Sequence, residues 1–343
     1  MKPSWTVLLF VVLLLATVGL SLSLGSYEIR WGELLSFFSG RLQDLQVKKV
    51  LLDMRLKRVL TAVSVGALLG SAGAAMQSAL RNPLASPFTL GVQHAAALGA
   101  AIALMVLYGG SIGRFSIEVR GPYMVASLAF LGAVLQIFLI LVLAYRVGVS
   151  VYAVILIAIA MAFLTQALLS LLQYIFLNEI VVAAVVFWTF GDTSRASWGE
   201  LLWICLAVGG LLVLLLFYSL DLDLLSVSDE VAESSGVKVR RARMAVLVSC
   251  ALGTALTVSF VGIIGFVGLV AGQMARLIGG WSNRKVIPLS GLIGALTLSV
   301  ADLLGRTLMS PTTIPVGIMT SLIGAPVLIY LLLGGSHAQG VRC

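Results

Sequence analysis

Charged residues are scarce in this sequence of 343 residues: Asp, Glu, Lys and Arg make up 10% of it, and hydrophobic residues make up 60%. Soluble domains usually carry roughly 25% charged residues. So little charge cannot cover a folded core with polar surface, which excludes an ordinary soluble protein. Because apolar runs of about 20 residues recur along the sequence, we predict an all-α integral membrane protein.

Cysteine and histidine are also rare, with three and two copies. Cys205 and Cys250 lie within predicted spans and Cys343 is terminal, so we expect neither a disulfide framework nor a metal-ligand spacing. His94 is a candidate metal or haem ligand, but a single histidine near the start of a span more often packs or forms a hydrogen bond. We therefore predict no metal site.

Catalytic signatures are missing as well. The sequence contains no G-x-x-x-x-G-K-[ST] phosphate loop, no H-E-x-x-H motif and no paired intramembrane carboxylates. These absences argue against a membrane enzyme and against ATP binding by this chain, so we predict no catalytic residue and no cofactor. The net charge of +8 is expected to flank the membrane and to face partners, with no nucleic acid bound.

Ten spans are predicted within one polytopic domain that covers residues 1–343, with both termini on the cytoplasmic side. The apolar stretch 181–190 is too short to cross comfortably and is expected to lie along the interface or to re-enter. A polar loop is expected around Arg114, Glu118 and Arg120. The first run is long for a signal peptide, which favours a retained span. The predicted spans are 5–24, 60–76, 88–107, 122–144, 151–175, 200–219, 243–258, 260–278, 287–304 and 314–333.

Glycines recur within these spans at spacings that allow helix backbones to approach closely. We therefore interpret them as packing residues and not as a phosphate-binding loop. They include Gly66, Gly70, Gly73, Gly262, Gly265, Gly268, Gly291 and Gly294.

The longest polar interruption, at about 220–242, contains a short amphipathic run that cannot cross a bilayer. Ser228 is the predicted N-cap of a short helix, Asp229 and Glu230 occupy its first turn, and Gly236 is its expected stop. Four basic residues follow, Lys238, Arg240, Arg241 and Arg243, which mark this side as cytoplasmic. The segment is either a docking handle for a cytosolic partner or a solvated connector.

Basic residues are spread equally over the two sides, so the positive-inside rule does not choose an orientation. Arg55-Leu-Lys-Arg58 places three cations beside a membrane entry, where burial is costly without acidic partners. One explanation is a docking surface for a partner's carboxylates, since arginine binds them with two donors. The alternative is anchoring to lipid phosphates.

Several motifs follow one another along residues 50–333. They are Arg55 and Arg58; Asn82, Pro83 and Gly91 in a break between the second and third spans; the glycine-rich run 262–271; and Pro315, Gly317 and Pro326 near the end. In this order they resemble the motifs of the FecCD-type permeases, the membrane subunits of ABC importers for iron–siderophores, haem and cobalamin.

The resemblance implies roles for particular residues. Arg55, Arg58 and Arg306 match the arginines that receive glutamates of an extracytoplasmic solute-binding protein. The cytosolic run matches the helix that couples the permease to its ATPases; its coupling residues here are Ser228, Asp229, Glu230, Ala232, Glu233 and Gly236.

The sequence departs from the family pattern at several positions. Ser228, Glu233 and Ser235 replace the usual glycine, arginine and leucine of the coupling run, and Lys57 replaces a proline. Gln93-His94 replaces Ser-Gly, and Gly272-Gln273 replaces Pro-His. The candidate residues for the pathway wall are Tyr152, Met161, Gln166 and Met319.

The resemblance further implies the partners and the mechanism. A second permease, identical or different, would share one pathway in the cell membrane, with a binding protein above and two ATP-binding cassette subunits below that hold ATP and magnesium. Alternating access driven by ATP would import a metal chelate: an iron–siderophore first, haem or cobalamin otherwise. The alternative is an ion-coupled secondary transporter, for which Asp302 is the plausible intramembrane group, although a structural pair with Arg306 is the simpler expectation.

Overall fold

The computed structural model describes residues 3–25, 27, 29–108 and 123–339. The expected polar loop around Arg114, Glu118 and Arg120 lies outside the described residues. A π-helical turn at Val50–Leu56 joins α3 to α4. The α-helices are α1 (Pro3–Ser23), α2 (Trp31–Phe38), α3 (Leu45–Lys49), α4 (Lys57–Ala79), α5 (Val92–Tyr108), α6 (Met124–Val147), α7 (Val151–Phe176), α8 (Glu179–Thr189), α9 (Trp198–Phe217), α10 (Ser219–Val227), α11 (Asp229–Ser234), α12 (Val239–Val261), α13 (Val267–Gly279), α14 (Asn283–Thr307) and α15 (Val316–Gln339).

The predicted all-α membrane architecture is confirmed. Among the described residues, seven helical segments are long and apolar enough to cross a membrane: α1, the continuous run Leu45–Ala79, α6, α7, α9, α12 and α14. The other three predicted spans coincide with shorter apolar helical segments: Val92–Leu107 of α5, Val267–Gly279 of α13 and Val316–Leu331 of α15. Helix α8 occupies the apolar stretch that is too short to cross, and it packs against α5.

Helix α4 lies at the centre of the bundle and packs against α9, α12, α13 and α14. A Cβ atom at Gly66 would lie 2.4 Å from the carbonyl oxygen of Gly294, and one at Gly70 would lie 2.2 Å from that of Ser290. These distances leave no room for a side chain, so α4 and α14 touch backbone to backbone. The predicted role in close helix packing is confirmed for Gly66, Gly70, Gly73, Gly268, Gly291 and Gly294. It is wrong for Gly262 and Gly265, which lie in a non-helical stretch between α12 and α13.

The predicted span over 260–278 is wrong at its start. Helix α12 continues to Val261, and the chain then runs without helix from Gly262 to Phe266 before α13 begins. A residue from a distant loop stabilises the backbone at the start of this break, because the N–H of Asp192 donates to the carbonyl oxygen of Val261. Apolar patterning does not reveal such a break, since the residues in it are as hydrophobic as those of a span.

The polar interruption at about 220–242 is more helical than expected, because α10 follows α9 almost directly and α11 follows after one residue. The predicted cap is confirmed: the side chain of Ser228 accepts the N–H of Val231 over 3.1 Å. The predicted stop is confirmed too, since Gly236 has a φ of +87° and donates to the carbonyl of Glu233. This left-handed residue after a helix is a common way to end it.

Two polar regions lie at opposite ends of α4. Arg55 and Arg58 lie around its first residue, whereas the carbonyl of Ala79 at its other end accepts from Arg243 of α12. A helix of this length rises about 35 Å, which is close to the thickness of a bilayer's hydrocarbon core. We call these regions the arginine end and the loop end.

Candidate functional site

The arginine end brings together the three arginines that the resemblance assigns to docking. We call Arg55, Arg58, Arg306 and the carboxylates Asp192 and Asp302 the arginine cluster. All three arginines are buried, with 4%, 7% and 7% of their surface exposed. The structure therefore places them together but turns them inward.

Asp302 is the centre of the arginine cluster. Its Oδ1 accepts from Nε of Arg58 over 2.8 Å and from the hydroxyl of Thr193 over 2.7 Å. Its Oδ2 accepts from Nε of Arg306 over 3.1 Å, and Arg306 also donates to Ser21 of α1. The expected pair between Asp302 and Arg306 is confirmed, and sequence reasoning missed Arg58 as the second cation.

Arg55 fastens the end of α1 to the helical run before α4. Its Nη1 donates to the carbonyls of Leu22 and Ser23, and its Nη2 donates to that of Tyr27. Carbonyl oxygens satisfy the guanidinium without neutralising its charge. Arg55 thus acts as a structural clamp in this conformation.

One donor of the cluster remains free of hydrogen bonds among the described residues. Nη2 of Arg58 is buried without a hydrogen-bond partner, and Oδ1 of Asp192 lies 3.5 Å away from it. The side chain of Asp192 is 22% exposed, so this carboxylate near the donor is itself in contact with solvent.

Other cations of this end are exposed. Arg30 and Arg41 flank α2, and Lys48 and Lys49 end α3; the surface of each is accessible. These helices lie in the segment between the first two predicted spans. The exposed positive surface at the arginine end therefore comes from α2 and α3 and not from the arginine cluster.

Helix α11 stands at the loop end with most of its surface uncovered. Glu230, Val231 and Glu233 are exposed, whereas Ala232 is fully buried against the body of the protein. Its two caps fix its length. A short, rigid helix therefore presents an acidic face.

Asp229 anchors the first turn of α11. Its Oδ1 and Oδ2 accept from Nη2 and Nη1 of Arg243 over 2.6 and 3.1 Å, and Oδ1 pairs with Arg81 at 2.9 Å. The hydrogen bond from Arg243 holds the pKa of Asp229 below its ordinary value; partial burial opposes this, and the charges of Arg243 and Arg81 add to it. Asp229 is thus ionised at neutral pH and joined to two cations.

The sequence predicted Arg243 to be one of the cations that flank the membrane, but the structure buries it. It is 1% exposed, and besides Asp229 it donates to the carbonyls of Ala79 and Val149. It therefore ties α11 to the end of α4 and to the turn between α6 and α7. The other members of the basic run, Lys238, Arg240 and Arg241, are exposed as expected.

A second polar chain joins α10 to the transmembrane helices. Asp223 of α10 accepts from the backbone N–H and the side chain of Asn283, over 2.6 and 2.8 Å. Oδ1 of Asn283 accepts from Ser78 of α4, and Ser78 accepts from Arg276 of α13. Sequence reasoning missed this network, because its members are single polar residues that look unrelated along the chain.

The residues that match the family motif shape the break between α4 and α5. Oδ1 of Asn82 accepts the N–H of Leu84 over 2.9 Å, which closes a tight turn around Pro83. Gly91 has a φ of +73°, and a Cβ atom there would lie 2.6 Å from Nε2 of Gln136. The same amide donates to the carbonyl of Gly91, so α6 holds the end of the break in place.

The motif residues near the end of the chain shape the start of α15. The carbonyl of Pro315 accepts from the first turn of the helix, and Pro326 lies in its interior. A Cβ atom at Gly317 would lie 2.2 Å from the carbonyl of Phe190. The glycine therefore lets α15 lie against the end of α8.

The candidates for a pathway wall differ in exposure. Tyr152 and Gln166 of α7 are exposed, Met161 of α7 is partly buried, and Met319 of α15 is buried, with 5% of its surface exposed. His94 lies in the first turn of α5, and no group of three or more potential metal ligands occurs among the described residues.

Comparison with known proteins gives a consistent result. The model of the FecCD transport family matches residues 13–334. A protein of Methanocaldococcus jannaschii classed as an ABC transporter permease is 39% identical, over 95% of this chain and 94% of its own. The Fe(3+)-citrate import permease of Bacillus subtilis is 31% identical, over 96% and 95%. The vitamin B12 import permease of Vibrio cholerae is 32% identical, over 92% of each.

A solved structure is similar along the whole fold. It is an inward-facing conformation of an ABC transporter named as a metal-chelate type, with a TM-score of 0.84 and 29% identity, and it matches over 96% of this chain and 99% of its own. Family, relatives and fold agree on a multi-pass permease of the cell membrane, and a transport family is not an enzyme family. The chain belongs to the FecCD transport family.

Proposed function

We propose that this chain is the permease subunit of a binding-protein-dependent importer that moves a metal chelate into the cytoplasm. Two such permeases enclose one pathway, two ATP-binding cassette subunits dock at the loop end, and a solute-binding protein docks at the arginine end. The observation that carries the proposal is α11, a capped helix with an exposed acidic face and an anchored first turn.

The contacts that anchor α11 would allow it to transmit motion from the ATPases to the transmembrane helices. Asp229 bonds Arg243, which also holds the carbonyl of Val149 in the turn between α6 and α7. Asp229 also pairs with Arg81, the residue before the break at Asn82. When ATP draws the ATPases together, movement of α11 would therefore pull on both loops and change which face of the pathway is open.

Helix α7 supplies the argument for a second permease. Tyr152, Gln166 and Tyr174 are exposed along it, together with apolar neighbours. Of these, only Gln166 lies in the interior of the span, where a polar group is costly against lipid and usually faces protein or water. The two tyrosines lie in the first and last turns of α7, where aromatic residues commonly meet the membrane interface. This surface of α7 is therefore the proposed wall of a pathway shared with another permease, identical or different.

The arginine end suits an acidic partner in two ways. Exposed Arg30, Arg41, Lys48 and Lys49 attract carboxylates at a distance. Within the arginine cluster, a partner's glutamate that displaces Asp192 would meet Nη2 of Arg58, which pairs with Asp192 at 3.5 Å and forms no hydrogen bond. Docking at Arg55, Arg58 and Arg306 then requires a local opening of the cluster.

The transported chelate is proposed to be an iron–siderophore, with haem or cobalamin as the alternative. The relatives include importers of ferric citrate and of vitamin B12, so kinship leaves more than one chelate open. Asp302 offers no free carboxylate oxygen for an ion-coupled mechanism, because both of its oxygens already accept hydrogen bonds from arginines.

The experiment that tests the proposal is a crosslink. A photo-reactive residue replaces Glu233 on α11 in one variant and the exposed Gln43 at the arginine end in its control. After co-expression with the neighbouring genes and purification in mild detergent, the Glu233 variant should crosslink to a subunit that contains a phosphate loop, and the Gln43 variant should not. Absence of any ATPase from the complex, or an ATPase crosslinked only from Gln43, would defeat the proposal.

A further inference from the structure

Four cations lie at the loop end, where α6 ends and α12 begins. Arg146 is in the last turn of α6, and Lys238, Arg240 and Arg241 are at the start of α12. All four are exposed, and none forms an ion pair with another described residue. We call them the basic cluster. Like charges repel when no anion lies between them, so this cluster is a candidate site for an anion from outside the chain.

Arg240 and Tyr145 join the two helices at this place. The guanidinium of Arg240 lies over the ring of Tyr145, with Cζ 3.4 Å from the ring centroid, and its Nη2 donates to the carbonyl of Tyr145 over 3.0 Å. A cation over an aromatic face is attracted to it. Arg243, one turn further along α12, donates to the carbonyl of Val149. Helix α12 thus holds the chain on both sides of Gly148, and the position of the Arg240 guanidinium is fixed.

The fixed guanidinium keeps donors for a ligand. An arginine side chain has five N–H donors, and the bond to Tyr145 is the one hydrogen bond that the side chain of Arg240 forms with the described residues. The side chain is exposed, so its other donors are accessible. A planar arginine fork fits the oxygens of a phosphate group. The basic cluster thus offers a phosphate one oriented arginine and three further positive charges.

The exposed face of α6 leads from the membrane to the basic cluster. Leu131, Leu135 and Phe138 follow one another at spacings of four and three residues, and Tyr145 lies seven residues after Phe138. Residues at these spacings lie on one side of a helix, and all four are more than half exposed. An apolar face of this size on a membrane span meets lipid or another protein. Lipid fits better, because lipid phosphates lie at the level where a span ends, and the four cations lie there too.

We propose that the basic cluster binds the phosphate headgroup of an anionic phospholipid in the leaflet at the loop end, with the acyl chains along the exposed face of α6. This proposal goes beyond the proposed function and requires only the membrane location of the chain. Arg240 binds the phosphate, and Tyr145 holds Arg240 in position. The other three cations favour a lipid with net negative charge over a zwitterionic one, by about fivefold in affinity for each cation.

Two other partners would give different results. An ATPase that covered the four cations would leave the face of α6 in lipid, but without a preference for a charged headgroup. A second permease on that face would exclude lipid from it altogether. The three cases therefore differ in lipid contact and in headgroup preference at one position of α6.

The test measures which lipid lies beside α6. Phe138→Cys is introduced after the three native cysteines are replaced, and its thiol carries a bimane fluorophore. Phe138 lies about two turns from Tyr145, so the label does not touch the basic cluster. The protein, with the subunits that co-purify with it, is placed in nanodiscs of phosphatidylcholine, and nitroxide-labelled phosphatidylglycerol or phosphatidylcholine is added in increasing fractions. We expect phosphatidylglycerol to quench the fluorescence at a fraction about five- to tenfold lower than phosphatidylcholine.

Substitutions then locate the headgroup. Arg240→Gln should remove most of the preference for phosphatidylglycerol. Arg240→Lys, a second variant in case the first folds poorly, keeps the charge but loses the planar fork and should lower the preference about twofold. Tyr145→Leu leaves the number of charges unchanged but removes the ring under Arg240, so it should lower the preference about two- to threefold. Arg41→Gln is the matched control, because Arg41 is an exposed arginine at the opposite end, and the preference should stay unchanged.

Three results would overturn the inference. Quenching by neither lipid would mean that a protein covers this face of α6, and equal quenching by both would mean that the cations do not select the headgroup. A preference that Arg240→Gln leaves unchanged would place the anionic lipid elsewhere. Failure of the proposed function looks different, because it appears as a complex without an ATPase and is independent of the lipid preference.

Discussion

Arg58 of α4 and Asp302 of α14 are 244 positions apart in the sequence, and their side chains form a buried ion pair of 2.8 Å. Arg306 shares the same carboxylate from one turn further along α14. One acid therefore serves two arginines at a place where the resemblance to the family points to an external partner. The first prediction concerns this shared carboxylate.

Replacing Asp302 by Asn should be strongly destabilising. The change leaves two buried arginines with weakened compensation, and breaking such a pair usually costs about 3–5 kcal/mol. The measurement is the free energy of unfolding in mixed detergent micelles. Asp53→Asn is the control: Asp53 is exposed at the same end, so its variant should stay within about 0.5 kcal/mol of wild type. Equal stabilities of the two variants would mean that Asp302 does not hold the cluster.

Replacing Asp229 by Asn should separate ATP hydrolysis from transport. The variant keeps the exposed face of α11, so the ATPases still dock, but it weakens the ion pairs with Arg243 and Arg81. We expect uptake per ATP hydrolysed to fall about tenfold in proteoliposomes. Asp221→Asn on α10 should keep the wild-type ratio. A wild-type ratio for Asp229→Asn would show that this anchor does not carry the motion.

The stabilising effect of Asp229 should persist at mildly acidic pH. Its folded pKa is lowered, chiefly by the hydrogen bond from Arg243. A lowered folded pKa means that the contribution is complete above the ordinary carboxyl value of about 3.9 and is lost as pH falls through the folded value. The difference in unfolding free energy between wild type and Asp229→Asn should stay constant from about pH 8 to about pH 5 and shrink below about pH 4. A change centred near neutral pH would contradict this assignment.

Alanine at Gly294 should disrupt the crossing of α4 and α14. Its Cβ atom would lie 2.3 Å from the carbonyl oxygen of Gly66, so the helices must move apart, at a cost of about 3 kcal/mol. Gly210 of α9 is the control, because its surroundings are open and alanine there favours the helix by up to about 1 kcal/mol. The thermal stability of the two variants should change in opposite directions. A Gly294→Ala variant as stable as wild type would mean that α4 and α14 do not pack this closely.

The sequence predicted much of the fold because its signals are local. Span length, hydrophobic content and the caps of α11 depend on neighbouring residues, and Ser228 and Gly236 act as the pattern indicates. It misplaced the start of the eighth span, because the break at Gly262–Phe266 is apolar and is held open by the distant loop at Asp192.

The sequence by itself determined the class of protein: a chain with this little charge can only place its apolar runs in a membrane, and the FecCD motifs lie in order along it. Only the tertiary structure decided which charges meet. Arg58 and Asp302, or Arg243 and Asp229, are ordinary residues in the sequence and become functional candidates when folding brings them side by side and buries the arginines. Desolvation makes an unpaired buried charge costly, and a sequence does not state where desolvation occurs.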